Sequence, residues 1–154
     1  MGRMYSVEFA AVAVTAAQDL FSILPAANKP CLIHGLFLSQ SSDVADAAEE
    51  IVEIKLVIGN TTVGSGGSAP TPRPLDKNDA AAGFTARAND TTEVSAGTAI
   101  DHWSHAWNIR VPLEYWWTPE CRSRVQNADF AAVQLISVPA DSLTVSGTLY
   151  VEEL

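Results

Sequence analysis

Glu50-Ile51-Val52-Glu53-Ile54-Lys55-Leu56-Val57-Ile58-Gly59 is the stretch that decides the fold, because it is the clearest strand signature in the chain and Gly59 ends it. Shortly after comes its opposite. From Gly64 to Gly83 the chain reads Gly64-Ser-Gly-Gly-Ser-Ala-Pro-Thr-Pro-Arg-Pro-Leu-Asp-Lys-Asn-Asp-Ala-Ala-Ala-Gly83, which no strand can use. Compact domains rarely keep a loop beyond roughly 12 to 15 residues without a purpose. This one divides into a Gly/Ser hinge, a stiff Pro72-Arg73-Pro74 arm, and an Asp-rich stretch whose alanines suit a helical turn. The prolines limit the freedom of the unbound arm, so docking it costs less ordering entropy, and Arg73 is placed to pair with a partner's carboxylate. The loop is therefore expected to make contacts with a partner.

Working outward, Tyr5, Val7, Phe9, Ala11 and Ala13 alternate with polar or small residues, the period of a half-buried strand. Further strands are expected at residues 19–24 and 31–40 before the loop. After it they are expected at 83–88, 93–100, 103–111, 114–117, 129–138 and 142–152. Turn chemistry separates them, as in Pro25-Ala-Ala-Asn-Lys-Pro30 and Pro139-Ala-Asp141. One or two helical turns are expected at residues 42–49, where capping residues precede good helix formers. Many short strands with little helix and no βα alternation predict an all-β protein. The expected architecture is an antiparallel β-sandwich, jelly-roll-like, with residues 1–154 forming one domain.

Composition narrows the function classes. Eighteen acidic residues against nine basic give a formal charge of -9, which a phosphate backbone repels unless basic residues cluster. Arg73, Lys77 and Arg87 are spread out, and Arg122 with Arg124 is the closest group, so no nucleic-acid partner is expected. No run reaches the roughly 18 apolar residues of a membrane span, and Glu8 breaks the apolar start of the chain, which reads as mature structure rather than a leader. No membrane partner is expected, and synthesis is expected in a cytoplasm. Cys31 and Cys121 are expected to be free thiols.

The chemistry-bearing constellations are thin. In Asp101-His-Trp-Ser-His105 the two histidines are three residues apart, which puts them on opposite faces of a strand, and His34 lies far away in sequence. No serine has a nucleophile-elbow context, and Gly64-x-Gly-Gly is followed by prolines rather than by a Lys and a helix. Asp43, Asp46, Glu49 and Glu50 lack the spacing of a calcium loop and read as a solvated acidic face. Cys121 beside Arg122 has no recognisable base. No catalytic residue, metal ligand or cofactor is assigned, and the expectation is that the protein is not an enzyme.

Leu113-Glu-Tyr-Trp-Trp-Thr-Pro119 is more informative. On a strand Tyr115 and Trp117 share one face and Trp116 shares the other with Glu114, so a core can take only one set. The aromatic left outside suits a protein interface or, next to Glu114, a sugar-stacking platform. Tyr115, Trp116 and Trp117 join Pro72, Arg73 and Pro74 as candidate partner-binding residues.

The runs Val14-Thr-Ala-Ala-Gln-Asp-Leu-Phe21, Gln40-Ser-Ser-Asp43, Gly64-Ser-Gly-Gly-Ser68, Thr71-Pro-Arg-Pro-Leu-Asp76, Asp79-Ala-Ala-Ala-Gly-Phe84, Trp116-Trp-Thr-Pro-Glu120 and Pro139-Ala-Asp-Ser-Leu-Thr-Val-Ser-Gly-Thr-Leu149 together resemble a family of small proteins encoded by tailed bacteriophages and prophages. The resemblance spans nearly the whole chain, and its nearest functional analogy is to capsid decoration or cement proteins. It implies a homotrimer on the outer capsid surface of a virion, made in the host bacterial cytoplasm, with the major capsid protein as partner. The alternative is a carbohydrate-binding jelly-roll module of a phage head or tail fibre.

Overall fold

The computed structural model describes residues 2–42 and 50–154. Of the helix expected at 42–49, all but Ser42 lies outside the described residues, as do Asp43, Asp46 and Glu49. Eleven strands are present among the described residues: β1 Arg3–Val14, β2 Gln18–Leu24, β3 Cys31–Gln40, β4 Ile51–Asn60, β5 Arg73–Pro74, β6 Thr85–Asp90, β7 Ile100–Asn108, β8 Leu113–Trp116, β9 Arg124–Val125, β10 Phe130–Leu135 and β11 Leu143–Glu153. A single 3₁₀ turn, Pro119–Cys121, is the only helical element among them.

The strands form two antiparallel sheets. The first runs β5-β1-β11-β3-β8, with β9 pairing on the start of β3, and the second runs β6-β2-β10-β4-β7. Taking the eight principal strands, β1-β11-β3-β8 faces β2-β10-β4-β7, the double-Greek-key order of a jelly roll. The all-β sandwich read from the sequence is what the chain forms.

Its core follows from the two-residue period. In β11, Leu143, Val145, Leu149 and Val151 turn inward while Thr144, Ser146, Thr148 and Tyr150 turn outward. Tyr5, Val7 and Phe9 of β1, Leu36 and Leu38 of β3, and Val52, Ile54 and Leu56 of β4 meet them between the sheets. Phe9 and Phe21 pack at 5.0 Å and Tyr5 meets Phe84 edge-on at 5.6 Å, so both sheets share one aromatic-lined interior.

β4 and β7 are neighbours, yet the chain between them travels to the opposite edge of the sandwich and back. On the way out, Thr62 pairs with Ser95, Ser65 with Thr92 and Ser68 with Ala88. Next, β5 adds to the free edge of β1, setting Arg73 against Ser6 and Pro74 against Tyr5, and Leu75 N donates to Met4 O at 2.9 Å. The return is anchored by the buried Glu153, whose Oε1 accepts from Gly83 N at 2.8 Å and Phe84 N at 3.1 Å. β6 then lines the free edge of β2. The excursion thus lies along one edge of each sheet, pairing part of β1 and the length of β2, whose main-chain groups would otherwise be open to other chains.

Two sequence expectations change here. Residues 64–83 do not form a projecting arm: they lie against their own domain, and Gly67 passes so close to the Ala88 carbonyl that a Cβ would collide with it. Residues 93–100 are not a strand up to Ile100, because Ala96 (φ 57°) and Gly97 (φ 70°) turn the backbone through the left-handed region.

Candidate functional site

The two sheets differ on their outer faces. Every residue of β10, Phe130–Leu135, is buried, as are Gln18 to Ile23 of β2. One face of each packs in the core. The other is covered by the returning excursion, where Val94 packs on Phe130 and Ala132 with Leu24 at the side. A buried carboxylate fastens this cover: Asp19 Oδ2 accepts from Val94 N at 2.7 Å, and Asp19 Oδ1 accepts from Gln134 Nε2 at 2.8 Å. Burial pushes the Asp19 carboxyl up from 3.8 to about 6, the two hydrogen bonds pull the other way, and Glu93 and Asp90 add to the rise.

Among the described residues, none forms such a cover on the outer face of the first sheet. Strand parity in β8 sends Leu113 and Tyr115 inward and Glu114 and Trp116 outward. Tyr115 and Trp117 are consumed inside. They pack with Trp103 of β7 at 4.9 and 5.3 Å and with each other at 5.0 Å, a plug that closes the gap between edge strands β7 and β8.

Trp116 is different, with 55% of its surface exposed. Its ring stacks on Tyr150 of β11 at 5.1 Å and meets Phe37 of β3 edge-on at 5.2 Å. The register explains the cluster: Gly35 of β3 lies between Trp116 on one side and Tyr150 on the other. With no side chain at Gly35 the indole settles over the strand, where a Cβ would come within 2.6 Å of Trp116 Cε3. Beside this trio, a shallow groove of about 420 Å³ crosses the sheet, with Glu8 and Glu114 on its outer strands and Phe37, Ser39, Ser146 and Thr148 between them.

Of the residues singled out by sequence, the structure brings few together. Pro72, Arg73 and Pro74 lie along the β1 edge and Trp116 along the β8 edge of the same sheet, four inter-strand steps or about 19 Å apart. Tyr115 and Trp117 are structural. Phe37 and Tyr150, which sequence reading missed, share the open face with Trp116.

The histidines are likewise dispersed. His34 Nε2 pairs with Glu152 Oε2 at 2.8 Å, His102 Nδ1 meets Ser123 Oγ at 3.2 Å, and His105 stacks on Trp103 at 5.5 Å. The His102 and Ser123 pair has no carboxylate partner among the described residues, so nothing there orients the imidazole as a base. Among the described residues no group of three His, Cys, Asp or Glu is gathered tightly enough to hold a metal. Cys31 and Cys121 are free thiols, and burial, with Glu153 nearby, pushes Cys31 up to about 12, far from a reactive thiolate.

No protein-family model matches the chain, and no curated protein matches it.

Proposed function

We propose that the protein is a non-enzymatic structural component of a virion, a capsid decoration protein that binds the outside of a phage head as a homotrimer and holds neighbouring capsomers together. The observation that carries the reading is the uncovered face of the first sheet, where Trp116 stands exposed against Phe37 and Tyr150. Large rigid rings of this kind give much contact area at low entropic cost, which is why Trp and Tyr dominate interface hot spots. The acidic charge of the chain, -9, suits the outside of a shell whose DNA lies within. A protein that binds assembled coat but not dissociated coat shifts the equilibrium toward the intact particle. Three footprints linked in one trimer reinforce each other through effective concentration.

The contact assignment moves from the loop to the sheet. Arg73 and Pro74 are engaged with β1, leaving the Arg73 side chain as a peripheral contact. The test is light scattering followed by co-sedimentation. The expected result is a trimer that pellets with expanded heads and not with unassembled coat protein, with pelleting lost in Trp116→Ala. A monomer that stays in the supernatant would sink the proposal.

One observation favours a second reading, a carbohydrate-binding module. The groove beside Trp116 combines an aromatic ring, two carboxylates and three hydroxyls, which suit the apolar faces and hydroxyl groups of a sugar. Glycan-array binding that disappears in Trp116→Ala would support this reading over decoration, and a silent array would exclude it.

A further inference from the structure

The outward residues of the first sheet fall into rows set by strand register. Glu8 of β1 lies opposite Thr148 of β11, Thr148 opposite Phe37 of β3, and Phe37 opposite Glu114 of β8, so one row crosses the sheet with a carboxylate at each end. The next row is low. Ser146 lies opposite Ser39, and on its other side Ala10 and Ala11 form the bulge of β1, where Ala11 takes a φ of 52° and donates its N–H to Ser146 Oγ at 2.9 Å. A tall row beside a low one makes a trough, and this is the groove of about 420 Å³. It runs across the strands rather than along them.

The trough has carboxylates without cations. Arg3, Lys29, Lys55 and Arg87 are each taken by a carboxylate elsewhere, whereas Glu8 and Glu114, both exposed, have no ion-pair partner among the described residues. Arg73, opposite Ser6 in the row on the other side, pairs with neither. Two like charges at the ends of a groove walled by Phe37, on a chain of net charge -9, repel an acidic ligand and draw a basic one. Their spacing sets the length of that ligand. Three inter-strand steps are about 14 Å, and four residues of extended chain span about 13 Å. Positions i and i+4 of an extended segment also point to the same side.

We propose that the trough receives an extended segment of a partner protein with two basic side chains four residues apart, one paired with Glu8 and the other with Glu114, its backbone laid over Ala10, Ser146 and Ser39. The inference rests on the decoration reading and names what the partner presents to this face. Arginine fits best, since its planar guanidinium takes a carboxylate through two hydrogen bonds and its methylene stem can lie on Phe37.

The test titrates the full chain with three pentapeptides and follows amide chemical shifts. The probes are acetyl-Arg-Ser-Val-Ser-Arg-amide, the isomer acetyl-Ser-Arg-Arg-Ser-Val-amide of the same charge and composition, and acetyl-Glu-Ser-Val-Ser-Glu-amide. The first peptide should give saturable shifts at Glu8, Phe37, Glu114 and Ser146. The isomer, whose adjacent arginines point to opposite sides, should bind about threefold more weakly, and the acidic peptide should not bind. Glu8→Gln and Glu114→Gln should each weaken the first peptide about threefold and together about tenfold, with Tm unchanged, and either one should erase the preference over the isomer. Equal binding of the two basic peptides, a single variant that binds like the parent chain, or shifts that map elsewhere would each overturn the proposal. Co-sedimentation separates it from the reading it rests on. Heads should hold the double variant about tenfold less tightly than the parent chain, and equal retention overturns the inference while leaving decoration standing. A parent chain that ignores heads but shows the full peptide pattern overturns decoration and supports the trough's preference for a basic segment.

Discussion

The outer faces of the two sheets differ: one is sealed by the protein's own chain, and the other is left open by the described residues. On the second sheet the excursion between β4 and β7 returns across Phe130 and Ala132 and is fastened to Asp19. On the first sheet the excursion touches only the edge, through β5, and leaves Trp116, Phe37 and Tyr150 in the open. Under the proposed reading, the open face of the first sheet, where the rings are left exposed, is the surface that meets another molecule. The long loop lies along edge strand β1 and against residues 88–95, and in the proposed reading it is a peripheral contact.

The sharpest way to break this comparison uses two adjacent tryptophans on opposite sides of one strand end. Trp117→Ala removes a ring packed against Trp103 and Tyr115 and should cost about 3–5 kcal/mol in denaturant unfolding. A loss below about 1 kcal/mol would show that the plug between β7 and β8 is not part of the core.

Next in size is removal of the cover's outward limb. Replacing Ser65 to Pro74 with a short Gly/Ser link deletes β5 and the Ser65 and Ser68 pairings. The expected cost is about 3 kcal/mol, or about 10 °C in Tm for a domain of this size. It should be accompanied by association through the newly exposed β1 edge, read by light scattering. An unchanged Tm would restore the view of this segment as a detachable arm.

The Asp19 clasp makes a pH prediction with a definite sign. Its folded carboxyl titrates at about 6 against 3.8 in the unfolded chain, so folding favours the protonated form. Its stabilising effect is complete below about pH 4 and is lost as pH rises through about 6, a change on the order of 2–3 kcal/mol. Asp19→Asn cannot ionise, and a rotated Gln134 amide still meets it, so the variant should lack this part of the decline between pH 4 and 7. Identical pH profiles for the variant and the parent chain would contradict the assignment.

The smallest effect on stability is expected on the open face. Trp116→Ala should cost about 1 kcal/mol, the worth of its exposed ring contacts, as measured by chemical denaturation. A loss comparable to that of Trp117→Ala would mean that the open face is part of the core after all.

Much of the fold was legible because most strands are half-buried and alternate. β1, β3, β4 and β11 were found within a residue or two of their ends, and strand parity put Tyr115 and Trp117 on one face and Trp116 on the other, although all three were taken as candidate contacts. What escaped depends on partners distant in the chain. The two-residue β5 exists only because β1 has a free edge to receive it, and Arg73-Pro74 has no strand pattern of its own. Phe37 and Tyr150 could not be joined to Trp116, since the cluster comes from the register of three strands across Gly35.

The central claim is that the bare face of the first sheet meets the partner and the covered face of the second does not. A density map of the assembled virion tests it directly. The account predicts the chain on the outside of the head, three copies together, with Trp116, Phe37 and Tyr150 against coat protein and the cover around Val94 turned away from the shell. Density showing the Val94 side against the coat, or the Trp116 face open to solvent in the particle, would contradict it.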